Sequence, residues 1–151
     1  MANGWTNKGK AHILGVVYQN LTEKTNYYIA LVTSAASPTA DTNTLTQLTE
    51  IAAGNGYTTG GYELTPGNTD FDTLTEDDTG DTGTVLVKDV VWTASGGSIP
   101  DSGDGARWAV LTDDNGTVGS REIYAWWDLS TDISVSTGQT LTLSDLGLEI
   151  G

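Results

Sequence analysis

Apolar side chains recur at every second position through much of the second half of the chain, the period of half-buried strands. In GTVLVKDVVWTA (83–94), Val85, Val87 and Val91 fall on one face and Leu86, Lys88, Val90 and Trp92 on the other, which predicts one mostly buried strand. ARWAVLT (106–112) sets Ala106, Trp108 and Val110 against Arg107, Ala109 and Leu111; REIYAWWDL (121–129) sets Ile123, Ala125 and Trp127 against Tyr124 and Trp126. Between these two runs lies Asp113-Asp114-Asn115-Gly116, residue types that tolerate positive φ, so the chain is expected to reverse there and pair the strands antiparallel. The tail adds Ile133 and Val135, then QTLTLSDLGLEI, where Leu141 and Leu143 face inward and a bend at Asp145 or Gly147 leads to Leu148 and Ile150.

The first half is less regular. Ile13, Leu14, Val17 and Tyr18 have helical spacing, which predicts a short helix over Gly9–Asn20. NYYIALVTS (26–34) is rich in β-branched and aromatic residues and reads as a strand; SAASPTADTN after it reads as a loop. A second helix is expected over Leu45–Ala53, because Thr44 and Gln47 have capping-box spacing, Leu45, Leu48 and Ile51 or Ala52 share a face, and Gly54 follows. Tyr57–Thr65 reads as a strand, and Pro66–Gly83 as a long acidic loop anchored only by Phe71 and Leu74. There is no internal repeat and no linker with a change in composition. Together these elements predict an all-β fold over residues 1–151: a single β-sandwich of seven or eight strands with one or two short peripheral helices.

Composition narrows the chemistry. At 151 residues the chain can bury a core without staples, and with no cysteine it has no thiol nucleophile, thiolate metal site or redox switch. Six Lys plus Arg against twenty Asp plus Glu give a net charge of −14, which repels phosphate backbones and anionic bilayers, so neither nucleic acid nor a membrane is expected as a partner. The apolar run Ile13–Tyr18 is too short for a signal sequence or membrane span, and the chain reads as a product made in the cytoplasm. His12 is the only histidine, which excludes a multi-imidazole metal site and makes any Ser–His–Asp arrangement depend on that one residue.

Three sharper readings compete with plainer ones. The runs Asp77–Asp81, Asp101–Asp104 and Asp113–Asn115 offer hard oxygen ligands, and calcium is the one cofactor they could hold; none has the twelve-residue order of a calcium loop, and solvated turns are the simpler account. Five tryptophans and six tyrosines could form a carbohydrate platform, but Trp92, Trp108 and Trp127 sit in registers that favour the core. Trp126 and Trp127 point opposite ways, so Trp126 marks an interface unless the strand is covered on both faces. Paired carboxylates suitable for glycoside hydrolysis will arise by chance among twenty acids, so no residue is assigned a catalytic, cofactor or metal role.

Five stretches carry a resemblance: NKGKAHIL (7–14), YYIALVT (27–33), LTQLTEIAAGNGYT (45–58), VWTASGGSIPDSGDGARWAVLTDD (91–114) and VSTGQTLTLSDLGLEIG (135–151). In their order along the chain they resemble a family of small tailed-bacteriophage virion proteins, described as capsid decoration, head-fibre or tail-fibre components, and the resemblance implies that the β-sandwich is jelly-roll-like. The resemblance implies a non-enzymatic virion protein, made in the host cytoplasm, that binds the major capsid protein or another virion subunit; by analogy it implies a homo-oligomer, with a trimer as the expected state. Docking is then expected through an N-terminal segment of about residues 1–20, with Trp5, Ile13 and Tyr18 as apolar anchors, Lys8 and Lys10 beside them, and Trp126 as a further candidate. A carbohydrate- or receptor-binding fibre domain and a self-assembling filament subunit are the alternatives.

Overall fold

The computed structural model describes residues 2–151. In chain order the elements are β1 (Asn3–Trp5), α1 (Asn7–Tyr18), β2 (Tyr27–Val32), β3 (Tyr62–Leu64), β4 (Phe71–Asp77), β5 (Thr82–Val87), β6 (Val90–Thr93), β7 (Ala106–Thr112), β8 (Ile123–Ile133), β9 (Thr140–Leu143) and β10 (Leu146–Ile150). Two single 3₁₀ turns, Leu45–Gln47 and Val118–Ser120, complete the list. The expected all-β sandwich forms, with ten strands rather than seven or eight, in antiparallel sheets ordered β1-β8-β7-β2-β3, β10-β5-β4 and β6-β9.

The five-stranded sheet is covered on both faces, and that resolves the tryptophan pair. Trp127 is fully buried in the main core with Ile29, Leu31, Leu64, Trp92, Leu141 and Leu146, a cluster drawn from all three sheets. Val32, Val110 and Ile123 face the other way, under Leu45, Leu48 and Val118. Trp126 lies half-buried on that second face, edge-to-face with Trp108 at 5.8 Å. Trp108 is therefore not a main-core residue as expected; it is half-buried with the guanidinium of Arg107 5.2 Å from its ring.

A β-bulge changes the predicted faces of β8. Leu111 pairs with Ala125 but Thr112 pairs with Ile123, so Tyr124 is an extra residue. Ile123 thereby joins the second face while Ala125 and Trp127 stay in the main core, instead of all three sharing one side. Tyr124 turns into the main core and is 2% exposed.

The bulge also seats α1. The carbonyl of Tyr124 accepts the N–H of Thr6 at 3.0 Å, and Thr6, fully buried, caps the helix by accepting the N–H of Gly9 at 3.0 Å. A Cβ on Gly9 would lie 2.1 Å from that same carbonyl oxygen, so only glycine lets the helix approach β8 this closely. At the other end Asn20, at φ 57°, turns the chain so that the Leu21 N–H reaches the Gly15 carbonyl at 3.1 Å and its side chain covers Gly15.

Five expectations fail for local reasons. The second helix is only the 3₁₀ turn Leu45–Gln47: the Gln47 side chain does accept from the Thr44 N–H at 3.0 Å, but residues 49–51 then pair with β2, through Thr33 N to Thr49 O and Ile51 N to Leu31 O. The strand expected over Tyr57–Thr65 shrinks to Tyr62–Leu64, because Gly54–Tyr57 closes as a turn and Gly60 and Gly61 adopt φ of 92° and 85°. The strand over 83–94 is two strands in different sheets, broken at Lys88-Asp89, which lets Val87 and Val90 both face the core. The acidic loop 66–83 contains β4, whose hairpin with β5 turns at left-handed Asp81, φ 54°. Finally, β7 and β8 are antiparallel as expected, but none of residues 113–116 takes positive φ; a longer connection containing the turn Val118–Ser120 joins them.

Candidate functional site

Between α1 and the three-stranded sheet lies an open cavity of about 690 Å³. One wall is α1, which contributes Gly9, His12 and Ile13 at the spacing of a single helix face. The other wall is the inner face of the sheet, where register lines up Leu148, Val85 and Leu74 as one aliphatic row across β10, β5 and β4. Burial falls away along that row. Leu148 is 7% exposed and Leu74 is 82% exposed, and Ile150, on the outer end of β10, is 57% exposed. The sheet thus peels from the core and leaves an apolar groove that none of the described residues fills.

The floor is polar in one place. The His12 ring stacks on Tyr124, centroids 4.6 Å apart and nearly parallel, and His12 Nε2 lies 2.8 Å from the Tyr27 hydroxyl. Tyr27 donates its only hydroxyl proton to Glu23 Oε1 at 2.6 Å, so His12 must donate through Nε2–H and carry its lone pair on Nδ1. Burial, the largest influence, lowers the His12 pKa and keeps the ring neutral; Glu23 opposes this and Lys24 reinforces it. Burial and then Glu23 push Tyr27 far up, and burial followed by Asp113 and Glu122 pushes Tyr124 up, so both phenols stay protonated. This array fixes the floor in one tautomer.

Of the residues singled out from the sequence, Trp5 and Ile13 line the groove. Trp5 is also tied down, its indole N–H donating to the Glu149 carbonyl at 2.6 Å. Tyr18 is 79% exposed and extends the apolar surface beyond the groove, together with Leu14, Val17 and Leu21 at 57%, 64% and 55%. Lys8 is paired with Glu122 at 2.8 Å, whereas Lys10 is exposed with no ion pair among the described residues. Trp126 lies on the second face of the sheet, its ring over Gly4, where a Cβ would come 2.4 Å from it. Leu74, Ile150 and the His12–Tyr27–Glu23 array were not singled out. Leu148 and Ile150 were legible as an alternating pair, but nothing in the sequence says that α1 crosses them.

The acidic loops use their carboxylates as turn acceptors. Asp77 accepts from Thr79 N–H, Asp114 from Thr25 and Asn26 N–H, and Asp113 from Glu122 N–H while pairing with Lys24 at 3.2 Å. Asp101 accepts from the Asn55 amide at 2.7 Å. Among the described residues no three His, Cys, Asp or Glu side chains converge as a metal site, and no helix is long and apolar enough to cross a membrane. All five tryptophans are buried or half-buried, which leaves Tyr18 as the one strongly exposed aromatic ring among the described residues.

No protein-family model, curated protein or solved structure matches the chain. The resemblance to phage virion proteins therefore rests on the five sequence stretches alone.

Proposed function

We propose that this chain is a non-enzymatic assembly subunit that docks on a protein partner through the α1 groove and the exposed apolar face of α1, as a virion component of the kind the sequence resemblance implies. The observation that carries this reading is the open groove, flanked by Leu74 and Ile150 on the sheet side, on a chain whose other large apolar residues are mostly buried. Large apolar patches on an isolated chain mark interaction sites. Burying each such side chain is worth about 1.5–3 kcal/mol, so several together can exceed the cost of association and reach micromolar affinity. The charge of −14 supports the same reading, because it keeps free subunits dispersed before they meet the partner.

The partner proposed is the major capsid protein or another subunit of the particle, and the assembled state is a homo-oligomer on that surface. The test mixes purified chain with undecorated phage shells and, separately, with a glycan array. Saturable shell binding that is lost in Leu74→Lys, with a blank array, is the expected result. Array binding with bare shells overturns it in favour of a receptor-binding module.

A further inference from the structure

The groove has an open strand along its rim. Sheet β10-β5-β4 has two edges, and the chain treats them differently. On β10 the alternate carbonyls of Gly147 and Glu149 are closed by side chains: Asn3 Nδ2 and Trp127 Nε1 donate to Gly147 at 3.2 and 2.9 Å, and Trp5 Nε1 to Glu149 at 2.6 Å. On β4 nothing comparable exists. Beyond its pairing with β5, the backbone of residues 72–77 makes no hydrogen bond among the described residues. At seven residues β4 is also the longest edge strand; β1 and β3 have three each and β6 and β9 four.

Resting on the docking reading above, the geometry points to the outer edge of β4 as a strand-addition site, taking an extended, cationic segment of the partner protein that alternates basic and apolar residues. Main-chain pairing satisfies the alternate N–H and C=O groups that β4 leaves to solvent. The added strand lies about 4.8 Å beyond β4 and continues the row Leu148–Val85–Leu74, so one of its apolar side chains lands over the groove mouth beside Leu74. The charge of the segment follows from its surroundings. There is no Lys or Arg between Lys24 and Lys88, while β4 and its turn carry Asp72, Glu76, Asp77, Asp78 and Asp81. Such an edge repels a second copy of this chain or any acidic strand and favours a basic one, which gives the open edge its selectivity.

The probe is a synthetic ten-residue peptide of alternating valine and lysine, with an alternating valine–glutamate peptide as control, each added to the intact chain at about 1 mM, where even weak pairing populates the complex. Amide hydrogen exchange is followed residue by residue. The expected result is at least about tenfold slower exchange at alternate amides within 71–77 with the lysine peptide only, β10 unchanged, and loss of the effect in Leu74→Lys, a substitution at an exposed site that leaves the fold intact. Exchange on β4 that is unaltered, or altered equally by both peptides, overturns the assignment. Repeating the exchange on the chain bound to shells separates the two proposals: binding without protection of β4 retains docking and removes strand addition, and protection by the peptide with no shell binding does the reverse.

Discussion

At the residue scale, a few side chains hold the groove walls in place. Asp70 ties down the entrance to β4: one oxygen pairs with Lys88 at 2.6 Å, the other accepts the Thr65 N–H at 2.8 Å, and its carbonyl accepts the Lys88 N–H at 2.9 Å. Lys88 and then the Thr65 N–H hold the Asp70 pKa below its ordinary 3.8. A depressed carboxylate contributes stability that is full above the unfolded value and is lost as pH falls through the folded one. Asp70→Asn should therefore cost about 1–3 kcal/mol at neutral pH in urea unfolding and flatten the loss of stability below about pH 4. His12 has the opposite chemistry and the same sign. Its pKa lies below 6.5 because burial favours the neutral ring, so its contribution is full above 6.5 and fades as pH drops below it. His12→Phe keeps the stack on Tyr124 and should flatten melting temperature against pH below about 6.5. A variant that keeps the parent slope places the titration elsewhere.

At the scale of elements, legibility followed burial. β2, β7, β8 and β9 were readable because each buries most or all of the apolar side chains on one face, which forces alternation onto the sequence. β4 was not, since Asp72 through Asp77 are exposed on both sides and nothing selects an apolar face. The false helix after Thr44 had the right cap and the right spacing, but its Leu48 and Ile51 bury equally well when the segment runs along β2. The N-terminal half of the site was visible as Trp5 and Ile13; that α1 crosses the sheet half depended on a bulge at Tyr124, which seats the helix and which no local pattern announces. Glycines show the same divide. Gly9→Ala should cost about 3 kcal/mol or more by pushing α1 off β8, whereas Gly116→Ala, with ordinary φ and open space around it, should stay within about 1 kcal/mol. Equal losses in thermal unfolding would mean that the Thr6–Gly9–Tyr124 junction does not set the helix position.

At the scale of the molecule, an apolar groove and a strong uniform charge oppose each other. Among the described residues only Asp70, Asp113, Glu122 and Asp128 of the twenty acids form ion pairs, so most of the negative charge is unneutralised and keeps like chains apart at neutral pH. That repulsion opposes association through the exposed Leu74 and Ile150, and it fails in two ways. Near the isoelectric point of about 4.1 the charge vanishes, and at about 0.5 M salt the screening length shrinks to a few ångströms. Both conditions should raise light scattering while the far-UV circular dichroism stays strand-like, the mark of folded chains sticking through exposed apolar surface and not of unfolding. The double variant Leu74→Ser, Ile150→Ser removes apolar area without altering charge, so it should scatter several-fold less at pH 4 with the same isoelectric point. Scattering that is unchanged in this variant would move the adhesive surface from the groove rim to the Leu14, Val17 and Tyr18 face of α1, where Val17→Ser and Tyr18→Ser would then carry the effect.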